Sequence, residues 1–478
     1  MSLPDHNSFP ANRQAREHWS DVSWGWFTLC AYPGVASDDD NAVIVIEVSS
    51  MSWHTSNPHA RDTFVWASGI EDTFVPQVRP GERPLEEYEL MGHYQHWRAD
   101  LALARDLGLD AIRWGVPWYR VEPRAGQFDW SWTDQVIPYL VEELGVTPII
   151  DLMHYGCPFW LEREFANERY PQAVAAYAAA FAKRYASLVR YYTPLNEPIV
   201  NALMCGKHGA WPPYLHSDTG FVRVMMQLAR GVALTAAAIK EHQPDAVLVH
   251  VEATGLSRTA HEHLRALAVE EQNRGYLYYD LLTGRVGGDH ALMPWLIEQG
   301  ASRDELAWMR RQVVPIDIMG MNFYPQWSTQ ELFLDQHGTL GTRSVEQDGA
   351  GFGDLIEHFY RRYALPIMIT ETSAVGSHAI RSSWLSSSLR TIKSLRGRGI
   401  PVIGHTWFPL YTMIDWKYRT GSAPVDEYRL ELGLYTRDQH EHRWLPTPLV
   451  NLYLELKGDP VGSVGVLADT TPAVLETA

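Results

Sequence analysis

The chain has 478 residues, of which 46% are hydrophobic, 12% aromatic and 20% charged. This is the composition of a globular protein that can bury a large core. Its formal net charge of −17 disfavours a broad nucleic-acid-binding or anionic-membrane surface, so we expect neither partner.

Cysteine spacing and hydropathy indicate the cellular location to expect for the chain. Cys30, Cys157 and Cys205 have neither the spacing of a disulfide framework nor that of a metal site, so we expect no metal ion. Residues 1–20 lack the apolar core of a signal peptide. We find no apolar run of about 18 residues, the length that a membrane span requires. We therefore expect a cytoplasmic protein.

Residues 1–63 do not follow the pattern of the rest of the chain and are predicted to be an N-terminal extension. Within it, residues 42–50 (AVIVIEVSS) are typical of an extra strand. The sequence leaves open whether this strand belongs to a capping hairpin or to a lid. Residues 458–478 are rich in Gly, Pro, Val and Thr, and we expect this tail to wrap the surface or fray.

Between these segments, residues 64–457 alternate short apolar runs with helical patterns. Continuous apolar runs are typical of strands that are buried on both faces of a parallel sheet. The predicted strands are residues 64–71, 110–116, 147–154, 191–197, 246–253, 317–324, 366–372 and 401–408. The predicted helices are residues 93–108, 132–145, 171–190, 221–242 and 382–399.

Eight strands, each followed by a helix, are the count of a (β/α)8 barrel. An open, doubly wound sheet is the alternative. It is disfavoured because no glycine-rich dinucleotide fingerprint follows the first strand. We therefore predict an α/β fold, a (β/α)8 TIM barrel with long βα loops.

Polar side chains recur at the C-terminal ends of the predicted strands, where barrel enzymes place their reactive residues. Two of them, Glu197 and Glu371, would form the pair of carboxylates that glycoside hydrolysis requires, one neutral and one ionised. An ionised Glu371 would raise the pKa of Glu197, and Arg113 in the second strand would keep Glu371 ionised.

Six segments resemble motifs of glycoside hydrolase family 1, in the family's order over about residues 64–455. TPLNEP (193–198) resembles its Thr-Phe/Leu-Asn-Glu-Pro motif, and MITET (368–372) resembles its Ile-Thr-Glu-Asn motif. The other four are IRWGVPWYRVEP (112–123), DLMHYGCPFWL (151–161), GMNFYP (320–325) and HTWFPLYTMIDW (405–416).

The resemblance implies a retaining exo-β-glycosidase that needs no cofactor and acts on a small glycoside. Glu197 would be the acid/base and Glu371 the nucleophile, with carboxyl groups about 5–5.5 Å apart. The other implied roles are 2-hydroxyl binding by Asn196, orientation of Glu371 by Arg113 and Tyr324, support of the acid/base by Asn322, and lining of the sugar pocket by His154 and Trp407.

Three departures from the family pattern affect the expected sugar pocket. Glu71 is the best candidate for the position where the family usually has a glutamine that holds the sugar's 3- and 4-hydroxyls. Tyr155 and Gly156 replace a Trp-Asp pair, so they would reshape the third loop. Asp415 could stand in for a glutamate that binds the 4- and 6-hydroxyls, but it lies one register off. We therefore do not assume glucose specificity.

Alternatives stay open at this point. A transglycosidase would use the same chemistry with another acceptor, and a barrel that binds sugar without cleaving it would be of another class. The second is disfavoured because both carboxylates are present. Trp407 could simply pack the barrel, and His250 and His405 are expected to have structural roles in the barrel. Whether the chain forms a homo-oligomer is not decided.

Overall fold

A computed structural model describes residues 64–438 and 443–458. The predicted extension, its strand at 42–50 and the tail after residue 458 lie outside these residues. In the described part, eight parallel strands close into a barrel. They are β1 Val65–Gly69, β2 Ala111–Gly115, β3 Thr147–Asp151, β4 Tyr191–Thr193, β5 Val247–Ala253, β6 Ile318–Asn322, β7 Ile367–Thr372 and β8 Val402–Trp407.

The barrel closes where its first strand meets its last. Val65 of β1 is in register with Gly404 of β8, and Ala67 of the same strand is in register with Ala111 of β2. Each predicted strand is present, and the predicted (β/α)8 fold is confirmed. Most of the strands end before their predicted limits, because the residues that follow them already belong to βα loops.

Eight longer helical segments accompany the strands in the described residues. They are α1 His93–Asp106, α2 Thr133–Pro138 continuing as a π-helix Tyr139–Glu143, α3 Tyr170–Tyr185, α4 Asp218–His242, α5 Arg265–Leu282, α6 Gly349–Tyr363, α7 His378–Gly397 and α8 Pro448–Gly458. The five predicted helices are among them. The sequence pattern did not predict α5, α6 and α8.

The βα loops contain further short elements. The helical turns are Glu87–Met91, Trp118–Val121, Glu164–Ala166, Pro198–Asn201 with Ala202–Lys207, Glu262–Leu264, Met293–Glu298, Arg303–Arg311, Trp416–Arg419 and Val425–Tyr428. The two-stranded sheets pair Phe74–Val75 with Leu85–Glu86, Met413–Ile414 with Arg429–Leu430, and Tyr435–Arg437 with Trp444–Pro446. In a three-stranded sheet, Thr329–Leu334 lies between Leu256–Arg258 and Leu340–Ser344.

Helix α4 is the described helix that is long and apolar enough to cross a membrane by length and composition. In its most apolar window, 67% of the residues are buried within the protein. Gly231 on this helix lies directly against Tyr170 and Val174 of α3. Its apolar character is therefore accounted for by packing between neighbouring helices of the barrel's outer ring.

Two apolar clusters hold the barrel together. The smaller one fills the barrel interior and includes Val65, Ile149 and Val249. The larger one lies between the strands and the surrounding helices. Because side chains fill the interior, the barrel is a solid core, and a ligand can enter at the strand ends.

Candidate active site

A cavity lies at the C-terminal ends of the barrel strands. Its volume of about 90 Å³ is several times the ~10–15 Å³ that one ordered water needs, so it admits a larger ligand. The lining residues are Glu71, His154, Tyr155, Glu197, Val200, Ala253, Asn322, Tyr324, Trp327, Ser328, Glu371, Met413, Asp415, Trp416, Leu430 and Leu432.

Glu371 near the end of β7 is held by a cation and a hydroxyl. Nη1 of the buried Arg113 donates to its Oε1 at 2.5 Å, and the Tyr324 hydroxyl donates to its Oε2 at 2.7 Å. Burial lowers the pKa of Arg113, but the carboxylates of Asp151 and Glu371 outweigh burial and raise it. The guanidinium therefore stays charged and gives Glu371 a cationic partner.

Glu197 follows β4 in a left-handed backbone conformation, with φ 43° and ψ 64°. Its Oε1 accepts a hydrogen bond from Asn322 Nδ2 at 2.9 Å, and its Oε2 accepts one from the Tyr155 hydroxyl. Burial and the nearby Glu371 carboxylate raise the pKa of Glu197 to about 7, although the two hydrogen bonds oppose the increase. Glu197 can therefore hold a proton near neutral pH while Glu371 is paired with a cation.

Asn322 connects the two carboxylates. Its backbone is in register with Glu371 across β6 and β7, and its side chain donates to Glu197. The Asn322 carbonyl also accepts a hydrogen bond from the hydroxyl of Thr254 at 2.9 Å. Asn322 thus contributes to the relative placement of the two carboxylates, together with Arg113, Tyr324 and Tyr155.

His154 and three acids form the wall between β1 and β3. Nδ1 of His154 lies 2.6 Å from Asp72 Oδ1 and 3.7 Å from Asp151 Oδ2, and its Nε2 lies 3.9 Å from Glu71 Oε1. Burial lowers the pKa of His154, but Asp72, Asp151 and Glu71 together raise it well above its usual range. The imidazole is therefore the cation of this wall.

The same wall has the donor types of a metal site. Asp72, Asp151 and His154 offer ligand atoms within 4.8 Å of one another. One oxygen of each acid is already engaged, since His154 faces Asp72 Oδ1 and Arg113 donates to Asp151 Oδ2. An arrangement of ion pairs accounts for the cluster without a bound metal.

Comparison with known proteins identifies the family. The model of glycosyl hydrolase family 1 matches residues 69–332, which is more than half of the chain. The chain belongs to glycosyl hydrolase family 1. The resemblance found in the sequence is confirmed. The matched residues include Glu197 but end before β7, so the placement of Glu371 rests on the structure.

The similarity to individual family 1 proteins is low but extensive. Beta-glucosidase A of Thermotoga maritima is 25% identical over 248 residues, which cover 48% of this chain and 54% of that protein. The aryl-phospho-beta-D-glucosidase BglA of Bacillus subtilis is 24% identical over 421 residues, covering 74% of this chain and 85% of the relative. The first match thus spans about half of the relative's length.

Solved structures share the fold. A family 1 β-glucosidase structure from Thermotoga maritima superposes with a TM-score of 0.69 at 19% identity, covering 82% of this chain and 97% of that chain. At this identity the likeness establishes the barrel.

Asn196 does not line the cavity of this family 1 chain. It is fully buried, and its Oδ1 accepts from Arg113 at 2.9 Å. Its Nδ2 lies 2.9 Å from His154 Nε2 and donates to the Tyr155 hydroxyl at 3.1 Å. The expected contact of Asn196 with a sugar 2-hydroxyl would require one of these bonds to be exchanged.

Tyr155 lines the cavity and also positions Glu197. It has a left-handed backbone with φ 74°. Its ring packs against Trp211 and Trp416 at centroid distances of 5.1 and 5.4 Å. The sequence indicated that Tyr155 reshapes the third loop, but its hydrogen bond to Glu197 could not be predicted from the motif.

Two residues predicted for the sugar pocket differ in position. Asp415 lines the cavity, and its carboxylate accepts a hydrogen bond from the Lys417 N–H at 2.9 Å. Trp407 does not line the cavity, because it is fully buried and its indole donates to the Leu432 carbonyl at 3.0 Å. We correct its expected role from lining the pocket to supporting Leu432, which does line it.

Several cavity residues have no motif in the sequence. They are Val200, Ala253, Trp327, Ser328, Leu430 and Leu432. Most of them lie in βα loops, and only spatial proximity relates them to the carboxylates.

The sequence could have identified Asp151 and Asp72 as site residues, since Asp151 ends β3 inside a quoted motif and Asp72 follows Glu71. His250 and His405 contact Tyr278 and Ser388 and do not line the cavity.

Proposed function

We propose that this chain is a retaining exo-β-glycosidase that releases a terminal sugar from a small glycoside or oligosaccharide. The observation that carries the proposal is the unequal environment of two carboxylates in one cavity. Arg113 and Tyr324 donate to Glu371, while burial and Glu371 raise the pKa of Glu197 to about 7. One group is thus suited to be an anionic nucleophile and the other a general acid.

The proposed reaction has two displacements. In the first, Glu371 attacks the anomeric carbon, the glycosidic C–O bond breaks, and the Glu197 proton passes to the leaving oxygen. In the second, Glu197 takes a proton from water, the water oxygen attacks the same carbon, and the bond to Glu371 breaks. The released sugar keeps its anomeric configuration, because both steps invert it.

The proposed substrate class is a β-glycoside with an uncharged or cationic sugar. The similar proteins named above are a β-glucosidase and an aryl-phospho-β-glucosidase. Glu71 and Asp415 line the cavity together with Glu197 and Glu371. This excess of acids would repel a phosphorylated glycone. We also propose a cytoplasmic location, with which the free cysteines Cys157 and Cys205 are consistent.

A panel of 4-nitrophenyl glycosides tests the proposal. It includes gluco, galacto, fuco, manno, xylo, glucurono and furanosyl donors, with 6-phosphoglucoside and the 2-amino, 3-amino and 4-amino glucosides added. We expect turnover of at least one neutral β-pyranoside and of neither anionic donor. We expect Glu371→Ala to lower kcat/KM by at least about 10⁴-fold, since it removes the nucleophile. Turnover of none of the panel, or normal turnover by Glu371→Ala, would contradict the proposal.

Product analysis separates the remaining alternatives. Proton NMR of the first-formed sugar should show the β-anomer, whereas an inverting enzyme would give the α-anomer. Adding an alcohol or sugar acceptor during turnover measures the transfer reaction. If transfer dominates over hydrolysis at low acceptor concentration, the chain is a transglycosidase.

A further inference from the structure

Glu71 presents one free carboxylate oxygen to the cavity. It follows β1 and lines the cavity together with Glu197 and Glu371, and it is 7% exposed. The backbone N–H and the hydroxyl of Thr73 donate to Glu71 at 3.1 and 2.6 Å, and both bonds end on Oε1. Among the described residues, no hydrogen bond to Oε2 is found, so this oxygen is available to a ligand.

The charges around Glu71 do not balance. Arg113 contacts Asp151 and Glu371. His154 faces Asp72 at 2.6 Å and lies 3.9 Å from Glu71. In this cluster of described residues, two cations therefore face four carboxylates. The wall carries more negative than positive charge wherever these acids are ionised.

The buried acid Glu87 adds to this environment. Its carboxylate accepts from the Ile414 N–H at 3.2 Å, and burial and Glu71 raise its pKa well above the usual range. The charged or titratable groups around Glu71 include His154, Glu371, Asp72, Glu87, Tyr155 and Tyr324. Burial raises the pKa of Glu71 to about 7, with Glu371 and Asp72 adding to the increase and His154 opposing it.

A buried carboxylate needs either a proton or a partner cation. A sugar hydroxyl offers one hydrogen to such an oxygen, whereas an ammonium offers three hydrogens and a positive charge. A cationic ligand at Oε2 would also reduce the repulsion between Glu71 and Glu371. The cavity is therefore electrostatically suited to a positively charged group on the sugar.

We propose that Glu71 makes the cavity selective for amino sugars, glycosides whose sugar ring carries a protonated amino group that pairs with Glu71 Oε2. This rests on the proposed function only in taking the ligand to be a β-glycoside. Glu71 would act as a specificity-determining residue, separate from Glu197 and Glu371.

Binding of hydrolysis-resistant ligands tests this proposal without turnover. Calorimetry would compare methyl 1-thio-β-D-glucoside with its 2-amino, 3-amino and 4-amino analogues, and would repeat the set in the galacto series. We expect at least one amino analogue to bind about tenfold more tightly than its parent near pH 7, which corresponds to about 1.4 kcal/mol.

Two matched variants locate the effect. Glu71→Gln keeps the shape but removes the charge, and we expect it to abolish the preference for the amino analogue. Glu87→Gln is the control: this acid is also buried and acts electrostatically on Glu71, but it does not line the cavity, so the preference should persist.

Three outcomes would overturn the inference: no binding in either series, equal binding of parent and all analogues, or a preference that survives Glu71→Gln. Turnover of neutral aryl glycosides without an amino preference would overturn this inference and leave the proposed function standing. Amino-sugar binding without turnover of any aryl glycoside would overturn the proposed function instead.

Discussion

The Tyr155 hydroxyl tunes the proposed general acid. Its hydrogen bond to Glu197 lowers the pKa of that carboxyl, against burial and the Glu371 charge, which raise it. Because the first step needs a protonated Glu197, we expect kcat/KM for a glycoside with an unactivated leaving group to fall as pH rises through about 7.

Tyr155→Phe should move this alkaline limb to higher pH, because the hydrogen bond that stabilises the carboxylate is lost. A hydrogen bond to a charged group contributes about 1.5 kcal/mol and one pKa unit is 1.36 kcal/mol, so the expected shift is about one unit. The pH profile of kcat/KM is the measurement. Tyr170→Phe is the control, since its buried hydroxyl contacts Met153. If the alkaline limb of Tyr155→Phe stays at the same pH or moves to lower pH, the proposed effect of the Tyr155 hydroxyl on the pKa of Glu197 is refuted.

Arg113 is the cation that pairs with the buried carboxylates of Asp151 and Glu371. Arg113→Met leaves Asp151 and Glu371 without their cation, and removing one partner of a buried pair costs about 3–5 kcal/mol. We expect that loss in urea unfolding, together with loss of activity. Arg113→Lys keeps the charge but not the planar fork, so its loss should be smaller.

The exposed pair of Arg184 with Asp134 is the comparison for Arg113. Arg184→Met should cost less than about 1 kcal/mol, as expected for surface pairs. Equal losses for the two arginines would show that burial of the Arg113 network does not matter.

At the residue scale, the sequence identified the two carboxylates because each lies in a short motif at a strand end. It could not show that the Asn196 side chain already binds Arg113 and Tyr155, since β2 and the loop after β3 supply these partners. Trp407 shows the same limit. A tryptophan at a strand end fits either the cavity or the core, and only packing decides between them.

At the scale of elements, the loops after β1 and β3 meet at Gly156. A Cβ there would lie 1.6 Å from the Phe74 carbonyl oxygen, and the Phe74 N–H donates to the His154 carbonyl at 3.1 Å. Gly156→Ala must push these loops apart. We expect a loss of about 1–3 kcal/mol in stability and a fall in kcat/KM, because His154 and Tyr155 move with the loop.

Gly288→Ala provides the control for this substitution. This glycine is exposed, and nothing lies within 4 Å of the added carbon. Unfolding and kinetics should match those of the unsubstituted protein. If Gly156→Ala behaves the same way, the two loops are not held as closely as the structure indicates.

The strands were predictable because both of their faces are buried, which leaves a continuous apolar signature. Helices α5 and α6 were harder to predict from the sequence. Helix α5 buries polar residues such as Glu271, Arg274 and Asp280, so its pattern lacks a clear apolar stripe. Helix α6 begins with glycines, which are poor helix formers, and is started instead by Asp348, whose carboxylate accepts from the N–H groups of Ala350 and Gly351.

For the whole molecule, buried acids make stability depend on pH. Burial raises the pKa of Glu164 to about 8, with Arg419 opposing. The folded state therefore retains a proton that the unfolded chain has lost, and stability falls as pH rises from about 5 to about 8. Removing the ionisable group should remove this contribution.

We expect Glu164→Gln to gain stability relative to the unsubstituted protein across that range, by up to about 1.4 kcal/mol per pH unit. Urea unfolding at several pH values measures the difference. Asp134→Asn should behave oppositely, because hydrogen bonding to Arg184 lowers the pKa of Asp134. The stability that ionised Asp134 contributes to the folded state is lost as the pH falls. A pH-independent difference for Glu164→Gln would contradict the prediction.

The closure of the barrel by β1 and β8 has a consequence for the order of events during protein synthesis. Val65 pairs with Gly404, so the first strand must wait for its last partner for a few tens of seconds at about 5–20 residues per second. Until then the edge of β1 that pairs with β8 has no partner strand. A nascent chain stalled before β8 would therefore be a substrate for chaperones, and it would have no complete wall on which Glu197 and Glu371 could act together.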